Sequence, residues 1–209
     1  MSDMDYGGGS APPAPQPPIP SEGLHDAVCY AVVDWGVMVD EFDGIPKGVV
    51  QGVRFFFELD EKMADGRPFA LSTYSIKIKY GDKAGFVKLL KAWLGKECPA
   101  SLVGYPLGGL RGRMASLNVE HRQKPDGTYS ARIDAVMKPR AGATPMQPVN
   151  MELPPWVKEA RAKDNKAAEA FLAGQGYSRQ DFQKPTPQAE EPGGGFDVVP
   201  FEKYGRGED

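Results

Sequence analysis

The sequence predicts an all-β domain, a small barrel of five antiparallel strands with one helix between the third and fourth, and three observations predict it. Apolar residues alternate with polar ones over several strand-length stretches. Between the third and fourth of these the spacing becomes helical. Turn-forming combinations of Gly, Pro and Asp stand at the joints. The 20 Pro and 25 Gly of the 209 residues concentrate at the two ends and in a middle linker, which leaves residues 21–140 as one folded domain of ordinary size.

Residues 24–39 carry apolar side chains on both parities, with Leu24, Val28, Tyr30 and Val32 on one and Ala27, Cys29, Ala31, Val33 and Trp35 on the other. That pattern suits a long first strand that bends. After the turn-like run Asp43-Gly44-Ile45-Pro46, residues 49–59 are dense in Val and Phe and form the second strand. Asp65-Gly66-Arg67-Pro68 marks a turn into a third strand over residues 69–80, with Tyr74, Ile76, Ile78 and Tyr80 on its apolar side. Asp82 is positioned to cap a helix in which Phe86, Leu89, Leu90 and Trp93 recur at helical spacing, with Gly95 at its end. A Gly-rich connection over residues 104–109 leads to a fourth strand, 110–121, with Ala115, Leu117 and Val119 inward. Lys124-Pro125-Asp126-Gly127 is a hairpin turn into a fifth strand, 128–137, with Tyr129, Ala131 and Ile133 inward. Three strands, a helix and a two-strand hairpin is the element order of the OB-fold barrel.

Outside this domain, residues 1–20 lack the apolar content to offset the entropy of ordering them and read as a disordered leader. Residues 141–155 read as a Pro-rich linker. Residues 156–182 carry a C-terminal helix with Trp156, Ala160, Ala167 and Phe171 along one side, either docked on the barrel or ordered by a partner. Residues 183–209 return to Pro, Gly and acid and are expected to be disordered.

Net charge is only -3, yet residues 76–140 hold 13 basic and 5 acidic side chains, net +8, whereas residues 181–209 hold 3 and 7, net -4. A basic half on a barrel of this type points to single-stranded nucleic acid, because such barrels line one face with cations that follow phosphates and rings that stack bases. The residues expected to do this are Arg54 and Phe56 on the second strand, Lys77 and Lys79 on the third, Arg111 and Arg113 opening the fourth, and Arg122 and Lys124 at the last hairpin. Trp35 is expected to clasp a base at the rim, and Arg132 points away from Ile133. Phe55, Phe57, Tyr74 and Trp93 are expected in the core.

Other chemistries find less support. His25, His121, Cys29 and Cys98 form none of the close pairs that zinc sites use, and no metal or cofactor is expected. Asp40, Glu41 and Asp43 match no cation-loop spacing, so no catalytic residue is assigned and the protein is not expected to be an enzyme. The run GYPLGGLRG lacks the ending of a phosphate loop. Two distant cysteines with no charged-then-apolar leader fit a reducing cytoplasm, and no apolar run approaches bilayer length. The alternative reading is a protein-interaction or virion-assembly module that uses the barrel as a scaffold for its tails. Under the binding reading, deletion of everything after Arg140 leaves DNA binding intact or stronger.

The stretches VRFFFEL (53–59), LSTYSIKI with the following KAWLGK (91–96), LRGRMASLNVEH (110–121) and GTYSARIDAV (127–136) resemble the small OB-fold single-stranded DNA-binding proteins of bacteriophages and related mobile elements. The resemblance covers about half of the chain and implies a replication or recombination accessory that coats single strands in the host cytoplasm. FDVVPF (196–201) is similar to the acidic tip by which bacterial single-stranded DNA-binding proteins recruit partner enzymes, which implies partner contacts at Phe196, Asp197, Pro200 and Phe201. It differs in that Phe201 is followed by EKYGRGED instead of ending the chain.

Overall fold

A computed structural model of the chain describes residues 18–150 and 152–176. Strand β1 (Gly23–Phe42) and strand β2 (Ile45–Lys62) form one long antiparallel hairpin. Its two-residue turn is Asp43-Gly44, with φ of 52° and 72°, the left-handed pair that matches strand twist and that Asp-Gly supplies. Both strands are longer than their apolar cores because the ladder runs on to the turn. Register shifts between Cys29 and Ala31 and between Asp34 and Gly36 bend β1, which accounts for its apolar residues on both parities.

Strand β3 (Pro68–Ser72) and the short strand β4 (Ile76–Lys77) both pair with β2. Helix α1 (Gly85–Leu94) follows, and then β5 (Met114–Gln123) and β6 (Tyr129–Met137) complete the sheet. The strand order β3-β2-β1-β5-β6, with β3 and β6 meeting at the seam, is a nearly closed antiparallel barrel of OB type.

The interior is filled by the inward parity of each strand. Val53, Phe55, Phe57 and Leu59 of β2 pack with Ala115, Leu117 and Val119 of β5 and Ile133 and Val136 of β6. Helix α1 plugs this core with Phe86, Leu90 and Trp93, each contributing about 1.5–3 kcal/mol by burial. The Trp93 ring meets Phe55 and Phe57 edge-on at centroid distances of 5.6 and 5.2 Å, and its Nε1 donates to the Met114 carbonyl at 2.8 Å.

Four local expectations are corrected. The third strand is broken at Thr73, whose buried hydroxyl accepts the Phe55 amide in place of a ladder carbonyl, so parity shifts and Tyr74 faces out instead of into the core. Asp82 does not cap α1: the N-cap is Ala84, and Asp82 pairs with Lys91 at 3.2 Å. The fourth strand begins at Met114, because Leu107–Leu110 form a 3-10 turn that buries Leu107 and Leu110 beneath the barrel. Tyr129 stands exposed beside the hairpin turn instead of pointing inward.

Residues 144–150 run against β2, where the amides of Val149 and Asn150 donate to the buried Glu58 carboxylate. Helix α2 (Trp156–Gly174) docks on the outer face of β1 and β2. Its buried side chains are Val157, Ala168 and Leu172, one position round from the expected face, and Ala167 is exposed. Two polar residues set that rotation. Asp164 Oδ2 accepts the Trp35 indole N–H at 2.7 Å, and Asn165 Oδ1 accepts the Val37 amide at 2.8 Å while its Nδ2 donates to the Trp35 carbonyl at 3.3 Å. Gly36, with φ of 80°, lies beneath that amide, and a Cβ there would collide with Asn165 Oδ1. Apart from residues 18–20, the expected leader lies outside the described residues. So do residues 177–182 and the whole acidic tail, including Phe196, Asp197, Pro200 and Phe201.

Candidate nucleic-acid interface

Outward parity on β2 places Arg54, Phe56 and Glu58 on one wall, opposite the core residues. The ladder extends this wall sideways. Lys77 of β4 pairs with Gly52, Phe56 pairs with Ser72 of β3, and across the seam Arg132 and Ser130 of β6 pair with Glu120 and Arg122 of β5. Side chains from four strands and the start of α2 thereby enclose a cleft of about 350 Å³, lined by Arg54, Ser72, Tyr74, Ser130, Arg132 and Trp156 among others.

Arg54 is the centre of this cleft. Its guanidinium lies 4.6 Å from the Trp35 ring centroid and 4.9 Å from that of Trp156, and its Nε donates to the Thr73 carbonyl at 2.6 Å. Burial pushes the guanidinium below its ordinary pKa, with Asp164 opposing. Among the described residues no carboxylate stands within salt-bridge distance of Arg54. A half-buried cation without an ion pair favours an incoming anion.

From β6, Arg132 Nη1 lies 3.5 Å from the Tyr74 hydroxyl and Arg132 Nη2 lies 3.2 Å from Glu120 Oε2. Hydrogen bonding from Arg132, together with the nearby charge of Arg122, holds the Tyr74 phenol below its usual pKa. Lys124 follows two residues beyond Arg122 at the turn of the β5–β6 hairpin. Further along the β2 side, Lys77 and Lys79 share Asp40, at 3.1 and 2.6 Å. The Lys79 contact, with that of Lys77, holds the Asp40 carboxyl below the usual carboxylate range against a smaller effect of burial.

Of the residues expected to contact nucleic acid, Arg54 and Phe56 line the cleft itself, Lys77 and Lys79 meet at Asp40 on the β2 side, Arg122 acts on Tyr74, and Lys124 stands at the hairpin turn. Arg111 and Arg113 do not line the cleft. They precede β5, and Arg113 is held by Glu97 at 2.6 Å beside the end of α1. Phe56 and Trp35 are on the expected wall, but each is only 1% exposed, because α2 covers them. The rings presented at the cleft are instead Tyr74, 58% exposed, and Trp156, 42% exposed. Neither was legible from alternation alone: Tyr74 is displaced by the break at Thr73, and Trp156 arrives from a helix whose docking is set by Asp164 and Asn165.

Among the described residues, no three His, Cys, Asp or Glu side chains gather as metal ligands, and no helix is long and apolar enough to cross a membrane. No protein-family model matches the chain, and no curated protein matches it.

Proposed function

We propose that this chain is a non-catalytic binder of single-stranded DNA in replication or recombination, holding the strand across the outer wall of β2, β3, β4 and the β5–β6 hairpin. The observation that carries this reading is the meeting of Arg54 and Arg132 with the exposed rings of Tyr74 and Trp156 at one cleft, with Arg122 acting on Tyr74 from beside it. Cations without full ion pairs compensate phosphates, and each ring offers a face to an unpaired base worth about 1–3 kcal/mol. Duplex DNA keeps its base faces stacked internally and offers only phosphates. The resemblance of residues 53–59, 91–96, 110–121 and 127–136 to the phage single-stranded DNA-binding proteins supports the same reading.

Four or five cations following the backbone imply a slope of log affinity against log salt of about -3, or roughly a 60-fold loss between 50 and 200 mM salt. The test is a titration of labelled single-stranded DNA, duplex DNA and RNA at those two ionic strengths. Absence of salt-sensitive binding of single strands below about micromolar, or a preference for duplex, overturns the proposal.

A further inference from the structure

Trp156 opens α2 and stands at the mouth of the cleft. Its ring packs against the Arg54 guanidinium at 4.9 Å and Phe56 at a centroid distance of 6.1 Å, so the indole is held by both while 42% of the residue stays exposed. Tyr74 lines the same cleft, next in sequence to Thr73, whose carbonyl accepts from Arg54 Nε. Ser72 and Ser130 add hydroxyls to the lining, and Arg54 and Arg132 add guanidiniums. At about 350 Å³ the cleft lies at the small end of ligand pockets, which run from about 300 to 1,000 Å³. Two exposed rings and several hydrogen-bond donors lining one cleft suit a flat heterocycle whose edge accepts hydrogen bonds. A simple anion leaves the rings unused, and a purely apolar ligand strips water from guanidiniums without replacing it.

We infer that α2 is a fixed wall of the groove and that Trp156 stacks a base of the bound single strand there, facing Tyr74, with Arg54 and Arg132 donating to the base or its phosphate. This rests on the single-strand-binding reading above. Trp35 and Phe56 then act from behind as positioning residues: Trp35 supports Arg54 at 4.6 Å, and Phe56 supports Trp156. The inference reverses the expectation that everything after Arg140 is dispensable for DNA binding, because the groove loses one side with α2.

The test uses the full chain carrying Trp156→Ala, Trp156→Phe or Tyr74→Ala, each checked for an unchanged thermal unfolding profile, against an oligothymidylate. Trp156→Ala and Tyr74→Ala each weaken binding roughly 5- to 150-fold, the range of one lost base stack, and Trp156→Phe retains most of the affinity. Intrinsic fluorescence separates stacking from support. Trp156 is the exposed one of the three tryptophans, since Trp35 and Trp93 are buried, so quenching by oligothymidylate disappears in Trp156→Phe even though binding persists. If Trp156→Ala binds as the parent does, or more tightly, or if quenching survives in Trp156→Phe, the inference is wrong while single-strand binding by the parent stands. If the parent itself shows no salt-sensitive binding, both readings fall. Should Trp156→Ala not fold, the Trp156→Phe quenching and the Tyr74→Ala affinity decide.

Discussion

Replacing Asn165 by Ala tests whether α2 belongs to the fold or merely rests on it. The carboxamide makes three hydrogen bonds: it accepts the Val37 amide at 2.8 Å, and it donates to the Trp35 carbonyl at 3.3 Å and to the Arg161 carbonyl at 2.7 Å. The two β1 partners are backbone groups of buried residues, and each costs about 1–3 kcal/mol if left unsatisfied. Admission of water to one of them reduces the sum, so the substitution is expected to cost about 2–4 kcal/mol. What remains to hold α2 is the Trp35–Asp164 hydrogen bond, the packing of Trp156 on Arg54 and Phe56, and the burial of Val157, Ala168 and Leu172. Helix α2 buries only Val157, Ala168 and Leu172, so its local opening precedes unfolding of the barrel. Hydrogen exchange read by mass spectrometry is the assay. Peptides from 156–174 should exchange about 30- to 1,000-fold faster in Asn165→Ala, while peptides from β2 and β5 stay within a few-fold of the parent. Exchange in α2 within three-fold of the parent refutes the reasoning, as does equal acceleration throughout the barrel.

Two further predictions concern single side chains. Asp40→Asn removes the carboxylate shared by Lys77 and Lys79, so affinity for single strands should rise and the salt slope should steepen by about 1, measured by oligonucleotide titration at several salt concentrations. The same freeing occurs in the parent on acidification: the Asp40 pKa is lowered, so its ion pairs are intact above the ordinary carboxylate range and are lost only as pH falls through that depressed value. Burial pushes the Cys29 thiol up to about 12, so a native-state thiol titration at pH 8 should modify the partly exposed Cys98 alone, with Cys29 reacting only after denaturant.

The barrel was legible because its signals are local. The run Val53, Phe55, Phe57, Leu59 and the run Ala115, Leu117, Val119 each declare an inward face without reference to anything distant. Asp43-Gly44 and the Asp126-Gly127 pair declare their turns in the same way. Two cations followed from those parities: Arg54 and Lys77 lie on the outward side that alternation gives them. The errors share another cause. Tyr74 escapes the alternation because a threonine hydroxyl substitutes for a strand carbonyl, an event that leaves no periodic trace. Phe56 and Trp35 read as open platforms because α2 is more than a hundred residues away, and the polar pair that docks it, Asp164 and Asn165, has the composition of a solvated helix face. Asp82 satisfies the composition of a cap, but the helix starts two residues later at an Ala84 N-cap and the Asp82 carboxylate pairs with Lys91.

Among the described residues, the far half of β1 has a strand neighbour on one flank only: β5 pairs with it no further than Val28, whereas β2 accompanies it to Phe42. A strand so exposed invites another chain to add itself in register. At Trp35 and Val37 the Asn165 carboxamide occupies that flank as a stand-in for a peptide unit, offering an acceptor and a donor in the order a further strand would present them. One side chain thus caps the sheet sideways and limits its recruitment into intermolecular ribbons. By this logic solubility at high concentration depends on a residue that belongs to neither strand.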